Sequence, residues 1–310
     1  MIRLETVPSQ AEGPGPEPAR SEAVPGGLTA ALGMIPPHGQ LLLAIVSIQV
    51  GSALATKLFA ALTPEGTVFW RVAFSAVLML LVWRPRLRGI TAPNALLLLA
   101  YGGMIAVMNL CFYQAIARIP LGIAVTIEFL GPLAVAALTS RRRSDFLWIA
   151  LALLGVGLLT PDLGQRLDPV GLLYAAGAGV AWGSFVLLSI RVGKRFEKGN
   201  GLALGMTMAA LLLVPFGTHT GGALLGDPLL LVAALAVALL STTIPLTLEF
   251  EALKRLPPRV YGVLITLEPV AAVIAGALLL SEWPGPWGLV AVALVTTAAI
   301  GMTLTTRDGS

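Results

Sequence analysis

Residues 119–142 read IPLGIAVTIEFLGPLAVAALTSRR: an aliphatic run holding one carboxylate, Glu128, and ending against Arg141, Arg142 and Arg143. Which solvent surrounds this stretch decides the fold. Only 12% of the 310 residues are charged and 56% are hydrophobic, with a mean hydropathy of +0.87. Soluble domains carry roughly a quarter charged residues, so a soluble fold of this length lacks the polar surface to cover itself. The apolar residues also fall into blocks of about 17 to 22, the length a helix needs to cross ~30 Å of hydrocarbon. The sequence therefore predicts an all-α membrane protein.

Charged residues and Gly/Pro punctuation divide the chain into ten expected spans. They cover 41–62, 67–83, 95–117, 120–138, 146–160, 170–190, 201–216, 229–252, 258–280 and 286–305. Alternate loops are basic: Arg84, Arg86 and Arg88; Arg141 to Arg143; Arg191, Lys194, Arg195 and Lys198; Lys254, Arg255 and Arg259. With Arg3, Arg20 and Arg307 at the ends, 16 of the 20 Lys and Arg residues fall on one side. The opposite loops hold only Arg118 and Arg166 among basic residues. Positive loops stay in the cytoplasm, so both termini are expected there. The same distribution explains the pI near 9.6 without nucleic acid. Residues 1–40, with GPGPEP and PGG, read as a disordered cytoplasmic tail in which Met34 offers an alternative start.

The chain also repeats. At an offset of 137, AIARIP at 115–120 meets ALKRLP at 252–257, Pro132 meets Pro269, and Ser144–Asp145 meets Ser281–Glu282. Five spans per half is an odd number, so the second half is inserted upside down. The expected architecture is two inverted five-helix repeats, 41–160 and 170–305, the arrangement of many secondary transporters with a midplane site between the halves.

Polar groups at mid-depth are costly and mark function or a buried partner. Glu128 and Glu268 both lie eight or nine residues into a span, and Glu128 is the stronger candidate. Arg71 is read either as an anchor for a carboxylate or as a partner of Glu65. Gln49, Asn109, Gln114 and Tyr113 add neutral hydrogen-bonding groups, and Trp182 lies deep enough to line a cavity. Lys57 reads as snorkelling to the interface. Glu249 and Glu251 read as salt-bridged to Lys254 and Arg255. Trp83, Trp148, Trp283 and Trp287 read as interfacial anchors, and Gly171, Gly177, Gly179 and Gly183 as close helix packing. Cys111 is the single cysteine and reads as a packing residue. The two histidines, His38 and His219, fall in the tail and a loop. No metal cluster, His-based triad, nucleotide loop or cofactor motif is expected, so the chain does not read as an enzyme.

Several strings carry a family resemblance: SIQ at 47–49, PLGIAVTIEFLGPLAVA at 120–136, STTIPLTLE at 241–249, ALKRLPPRVYGVLITLEP at 252–269 and SE at 281–282. Together they resemble the EamA-type transporters of the drug/metabolite transporter superfamily, and among these the bacterial threonine/homoserine exporters. The resemblance runs from about residue 41 to 305. It implies a ten-helix inner-membrane carrier exporting small amino acids against protons. A zwitterion needs an anion for its ammonium and a donor for its carboxylate. Glu128 is expected to supply the first, and Gln49, Gln114 or Arg71 the second. Proton uptake at Glu128 from outside then releases the substrate. Efflux of another small metabolite or drug is the alternative within transport, and a non-transporting membrane scaffold the alternative outside it.

Overall fold

The computed structural model describes residues 35–85, 91–139, 144–158, 167–196, 199–253, 255–256 and 258–305. Among these, every regular element is helical. Eight helices are long and apolar enough to cross a membrane, and two shorter apolar helices cover Leu121–Val135 and Phe146–Gly157. Residues 1–34, most of the expected tail, lie outside the described residues. The first helix starts at Pro37, inside the stretch assigned to that tail.

The helices are α1 (Pro37–Lys57), α2 (Phe59–Trp83), α3 (Ala92–Ile116), α4 (Leu121–Glu128), α5 (Leu130–Thr139), α6 (Ser144–Gly157), α7 (Pro169–Arg195), α8 (Asn200–Gly217), α9 (Gly221–Gly226), α10 (Pro228–Ala238), α11 (Ile244–Leu253), α12 (Pro258–Ile265), α13 (Glu268–Ala275) and α14 (Gly285–Thr305). A π-helical turn, Leu239–Thr243, joins α10 to α11, and another, Gly276–Leu280, follows α13.

Local chemistry sets the boundaries. Thr63 leaves the helical region (φ 55°, ψ 163°) and its hydroxyl accepts the Gly66 N–H at 3.3 Å. Pro64 then restarts the helix where its missing N–H costs nothing. Asp168 and Asp227 cap α7 and α10, each followed by a proline in the first turn. Their carboxylates satisfy N–H groups that would otherwise be orphaned.

The bundle is arranged for lipid. Leu173, Val180, Leu229 and Leu278 are each more than 70% exposed, while Gln49, Asn109, Glu128 and Glu268 are buried. Outward apolar and inward polar residues fit a protein whose solvent is hydrocarbon. Each element from the first half packs on one from the second: α3 on α7, α2 on α8, α6 on α14, α1 on α11, α4 on both α7 and α13.

Contacts sort the helix termini into two ends. Trp83 meets Gly199, Arg195 reaches Asn94, Leu41 packs with Leu256, and Gly262 meets Thr303. We call this the basic end, since Arg84, Lys194, Arg195 and Arg255 lie there. At the opposite end Gly66 meets Thr220 and Gly171 meets Arg118 and Ile119.

In the small-residue row on α7, Gly171, Gly179 and Gly183 pack closely, whereas a Cβ on Gly177 would meet only Cys111 Sγ at 3.5 Å. Gly131 of α5 crosses α7 at Gly179, where any Cβ would collide with the Gly179 carbonyl, and a Cβ on Gly179 would sit 2.9 Å from the Glu128 carbonyl oxygen. Trp283 and Trp287 are exposed as expected of interfacial anchors, but Trp148 lies over Gly301 with its Nε1 buried. A glycine opposite it leaves room for the indole, so packing takes the ring that the interface was expected to hold.

Gly131→Ala should overpack this crossing and destabilise the protein by about 1–3 kcal/mol, seen as a lower melting temperature of the purified carrier. Gly193→Ala, whose Cβ would meet nothing within 4 Å, should leave it unchanged or slightly raised.

Candidate functional site

A cavity of about 450 Å³ lies inside the bundle, a volume typical of small-molecule sites. Its wall includes Gln49, Arg71, Asn109, Glu128, Trp182 and Glu268, six of the eight residues singled out from sequence. A second cavity of about 380 Å³ shares Leu202, Leu246, Glu249 and Tyr261 with it and reaches Trp83, Phe196 and Gly199 at the basic end.

Two carboxylates and a pair of hydroxyls are positioned by local irregularities, while Gln49, Arg71, Asn109 and Trp182 project from regular helix. Glu128 is the last residue of α4, where the helix breaks at Phe129 before α5 begins. Glu268 begins α13 after the turn at Thr266–Leu267. Both breaks loosen the helix beside a carboxylate, as discontinuous helices do around transporter sites. The π turn at Leu239–Thr243 works differently. There Ile244 N–H bonds Leu239 carbonyl, an i to i+5 step. The wider turn holds Ser241 and Thr242 against α2, where Arg71 Nη1 donates to their hydroxyls at 3.2 and 3.3 Å. Ser47 Oγ donates to Leu240 carbonyl at 2.7 Å, tying α1 to the same turn.

Arg71 is the charge centre of the wall. Its guanidinium stacks over the Tyr113 ring at 5.0 Å, and its buried Nε has no hydrogen-bond partner among the described residues. Tyr113 is fully buried and supports Arg71 from behind. Arg71's field reaches Glu128, yet no described group donates a hydrogen bond or ion pair to that carboxylate. Gln49 Oε1 is also buried with no donor among the described residues. Asn109 Nδ2 donates to Ile105 carbonyl at 2.7 Å, which leaves its oxygen as an acceptor. Trp182 stands edge-on to Phe129, ring centres 5.7 Å apart. The arrangement places a cation, an anion and two amide side chains on the wall of one space.

Three readings change. Gln114 is absent from the cavity wall: it donates to Glu65, accepts from Arg118, and belongs to a polar cluster at the far end. Arg71 pairs with hydroxyls instead of Glu65. Glu249 lines both cavities instead of sitting in an interfacial salt bridge; Lys254 and the Glu251 side chain lie outside the described residues. Lys57 is exposed in the last turn of α1, as a snorkelling lysine would be. The sequence reading also missed Ser52, Ser241, Thr242 and Tyr261. The one available signal was three consecutive hydroxyls, Ser241 to Thr243, interrupting an apolar span.

The far end is closed by that cluster. Arg118 Nη1 donates to the Gln114 carbonyl at 2.9 Å, and its Nε lies 3.7 Å from Asp168. The Arg118 guanidinium also covers the Tyr174 ring at 5.2 Å. Glu282 accepts the Leu121 N–H at 2.8 Å and fastens α4 to the loop before α14. Burial pushes the Glu282 carboxyl above the usual carboxylate range, and that N–H opposes the shift.

In a Cys111→Ser background, Leu246→Cys should react with a membrane-impermeant thiol reagent applied from the basic end, while Gln114→Cys should stay protected from that side.

Comparison with known proteins agrees with this architecture. The EamA-like transporter family matches residues 169–304. The chain is 40% identical over 273 residues to threonine/homoserine exporter RhtA of Escherichia coli (strain K12), covering 87% of this chain and 92% of that protein. RhtA of Salmonella typhimurium (strain LT2) is 39% identical over 270 residues, covering 86% and 91%. The uncharacterized transporter YwfM of Bacillus subtilis (strain 168) is 29% identical over 168 residues, covering 53% and 56%. A solved crystal structure 22% identical to the chain superposes with a TM-score of 0.55, covering 87% of this chain and 99% of that one, a likeness of fold alone. The chain therefore belongs to the EamA-like transporter family of the drug/metabolite transporter superfamily, in the neighbourhood of the RhtA exporters.

Proposed function

We propose that this protein exports small amino acids of the threonine and homoserine kind across the bacterial inner membrane, in exchange for protons and by alternating access. The observation that carries this reading is the shared cavity of Arg71 and Glu128. A free α-amino acid has one carboxylate and one ammonium, and this wall offers the complementary pair. The carboxylate meets the Arg71 guanidinium, and the ammonium meets Glu128 and the side-chain oxygen of Asn109. Trp182 and Phe112 shape the apolar part of the wall. The substrate named for the RhtA relatives has this chemistry.

Ten crossings as two inverted repeats, with both termini cytoplasmic, complete the reading. The 137-residue offset carries the break at Phe129 onto the break at Thr266. Exchanging the halves also maps the packing onto itself: α3 on α7 becomes α10–α11 on α1, α4 on α7 becomes α12 on α1, and α5 on α7 becomes α13 on α1. The basic end then faces the cytoplasm. In this state the cavity leads to the cytoplasmic side, and the Glu65–Gln114–Arg118–Asp168 cluster shuts the other. Export requires that cluster to part while the basic end closes.

Two outcomes test this. Glu128→Gln, reconstituted in vesicles with labelled threonine, should lose flux by roughly 10-fold or more, as expected when a charged hydrogen bond worth about 1.5–3 kcal/mol is removed; undiminished flux removes Glu128 from the mechanism. Arg118→Ala should make a cavity cysteine at Ser52 reachable from the side opposite the basic end, where it is shielded in the parent.

A further inference from the structure

Three carboxylates, Glu128, Glu249 and Glu268, line the deep cavity, and its wall carries one cation among the described residues, Arg71. A zwitterionic substrate adds no net charge. With Arg71 balanced by Glu128, the other two carboxylates would leave two uncompensated negative charges inside the membrane. Glu268 is only 6% exposed, and no described group donates a hydrogen bond or ion pair to Glu268 or Glu249. Two neighbouring carboxylates so placed cannot both stay ionised; one proton relieves both the repulsion and the desolvation.

The surroundings separate the acids into two roles. The field of Arg71 acts on Glu128, whereas the charges acting on Glu268 are those of Glu249 and Glu128, with Tyr261 on the same stretch of cavity wall. From α1 the neighbouring polar group is Gln49, which is uncharged, and Glu282 lies beyond Gly276 at the far end of α13. Glu249 alone among the three lines both cavities, so it stands between Glu268 and the basic end.

We propose that the coupling proton is carried by Glu268, with Glu249 as the carboxylate that passes it to the cytoplasmic side, apart from the Arg71–Glu128 pair that holds the amino acid. The assignment rests on the export reading above. Facing the cytoplasm, the Glu268–Glu249 pair gives up one of its two protons to water through Glu249 and keeps the other, and the substrate enters between Arg71 and Glu128. Facing outward, Glu268 takes a proton from the other side as the substrate leaves. One proton moves in as one amino acid moves out.

The test uses the full chain in vesicles, measuring pH-gradient-driven movement of labelled L-threonine and gradient-free threonine exchange side by side. Glu268→Gln should abolish the driven movement and its pH dependence while exchange persists. Glu249→Gln should slow the driven movement and flatten its pH profile, and it tests the same route independently should the Glu268 variant not fold. Glu128→Gln should lose both activities. Driven transport persisting with an unchanged pH profile in both the Glu268 and Glu249 variants overturns the proposal. So does loss of exchange together with drive in a folded Glu268→Gln protein, which would make Glu268 a substrate ligand. A parent protein that exchanges no threonine sinks the export reading itself, a separate failure.

Discussion

A carboxylate inside a hydrocarbon layer needs water, a proton or a counter-charge, and the interior of this bundle is organised around that need. Glu128 lies at a helix break, beside a cavity, within the field of Arg71. Arg71 is itself held by the hydroxyls of Ser241 and Thr242 and the face of Tyr113. Those hydroxyls are presented by a π turn, which Ser47 of α1 fastens from the other side. One half-buried cation on the cavity wall thus links α2, α3 and the α10–α11 junction.

The two ends of the bundle are built differently. At the basic end apolar and aromatic side chains such as Trp83, Phe196 and Tyr261 surround an accessible cavity. At the other end, ion pairs and hydrogen bonds cross from α2 to α3 to α7. Polar links of this kind, partly exposed, are individually weak. They suit a closure that must open in each transport cycle better than a dry apolar seal would.

Much of this was legible from sequence because the membrane makes helical spans visible as composition. Apolar blocks, the basic loops and the mid-depth Glu128 and Glu268 all register in the string. Gln114 was misplaced although the spacing could have corrected it. Ile105, Asn109 and Phe112 lie on one face at i, i+4 and i+7, and residue 114, five beyond Asn109, points elsewhere. Glu249 was misplaced for a less visible reason. Depth along the span set it beside Lys254 and Arg255, but the π turn inserts an extra residue ahead of it. Everything downstream is rotated by about 100°, one residue of helix. Hydropathy carries no trace of such a turn. The pairing of Arg118 with Asp168, 50 residues apart, was equally out of reach, since it depends on how α3 and α7 are set against each other.

The central claim is that one cavity grips both charged ends of an amino acid, Arg71 the carboxylate and Glu128 the ammonium. Competition against labelled L-threonine binding to the purified protein tests it most directly. L-Threonine methyl ester lacks the carboxylate and 3-hydroxybutyrate lacks the ammonium, while both keep the side-chain hydroxyl. The account expects neither to displace threonine at concentrations where L-threonine and L-homoserine do. Displacement by 3-hydroxybutyrate as effective as by threonine would contradict it.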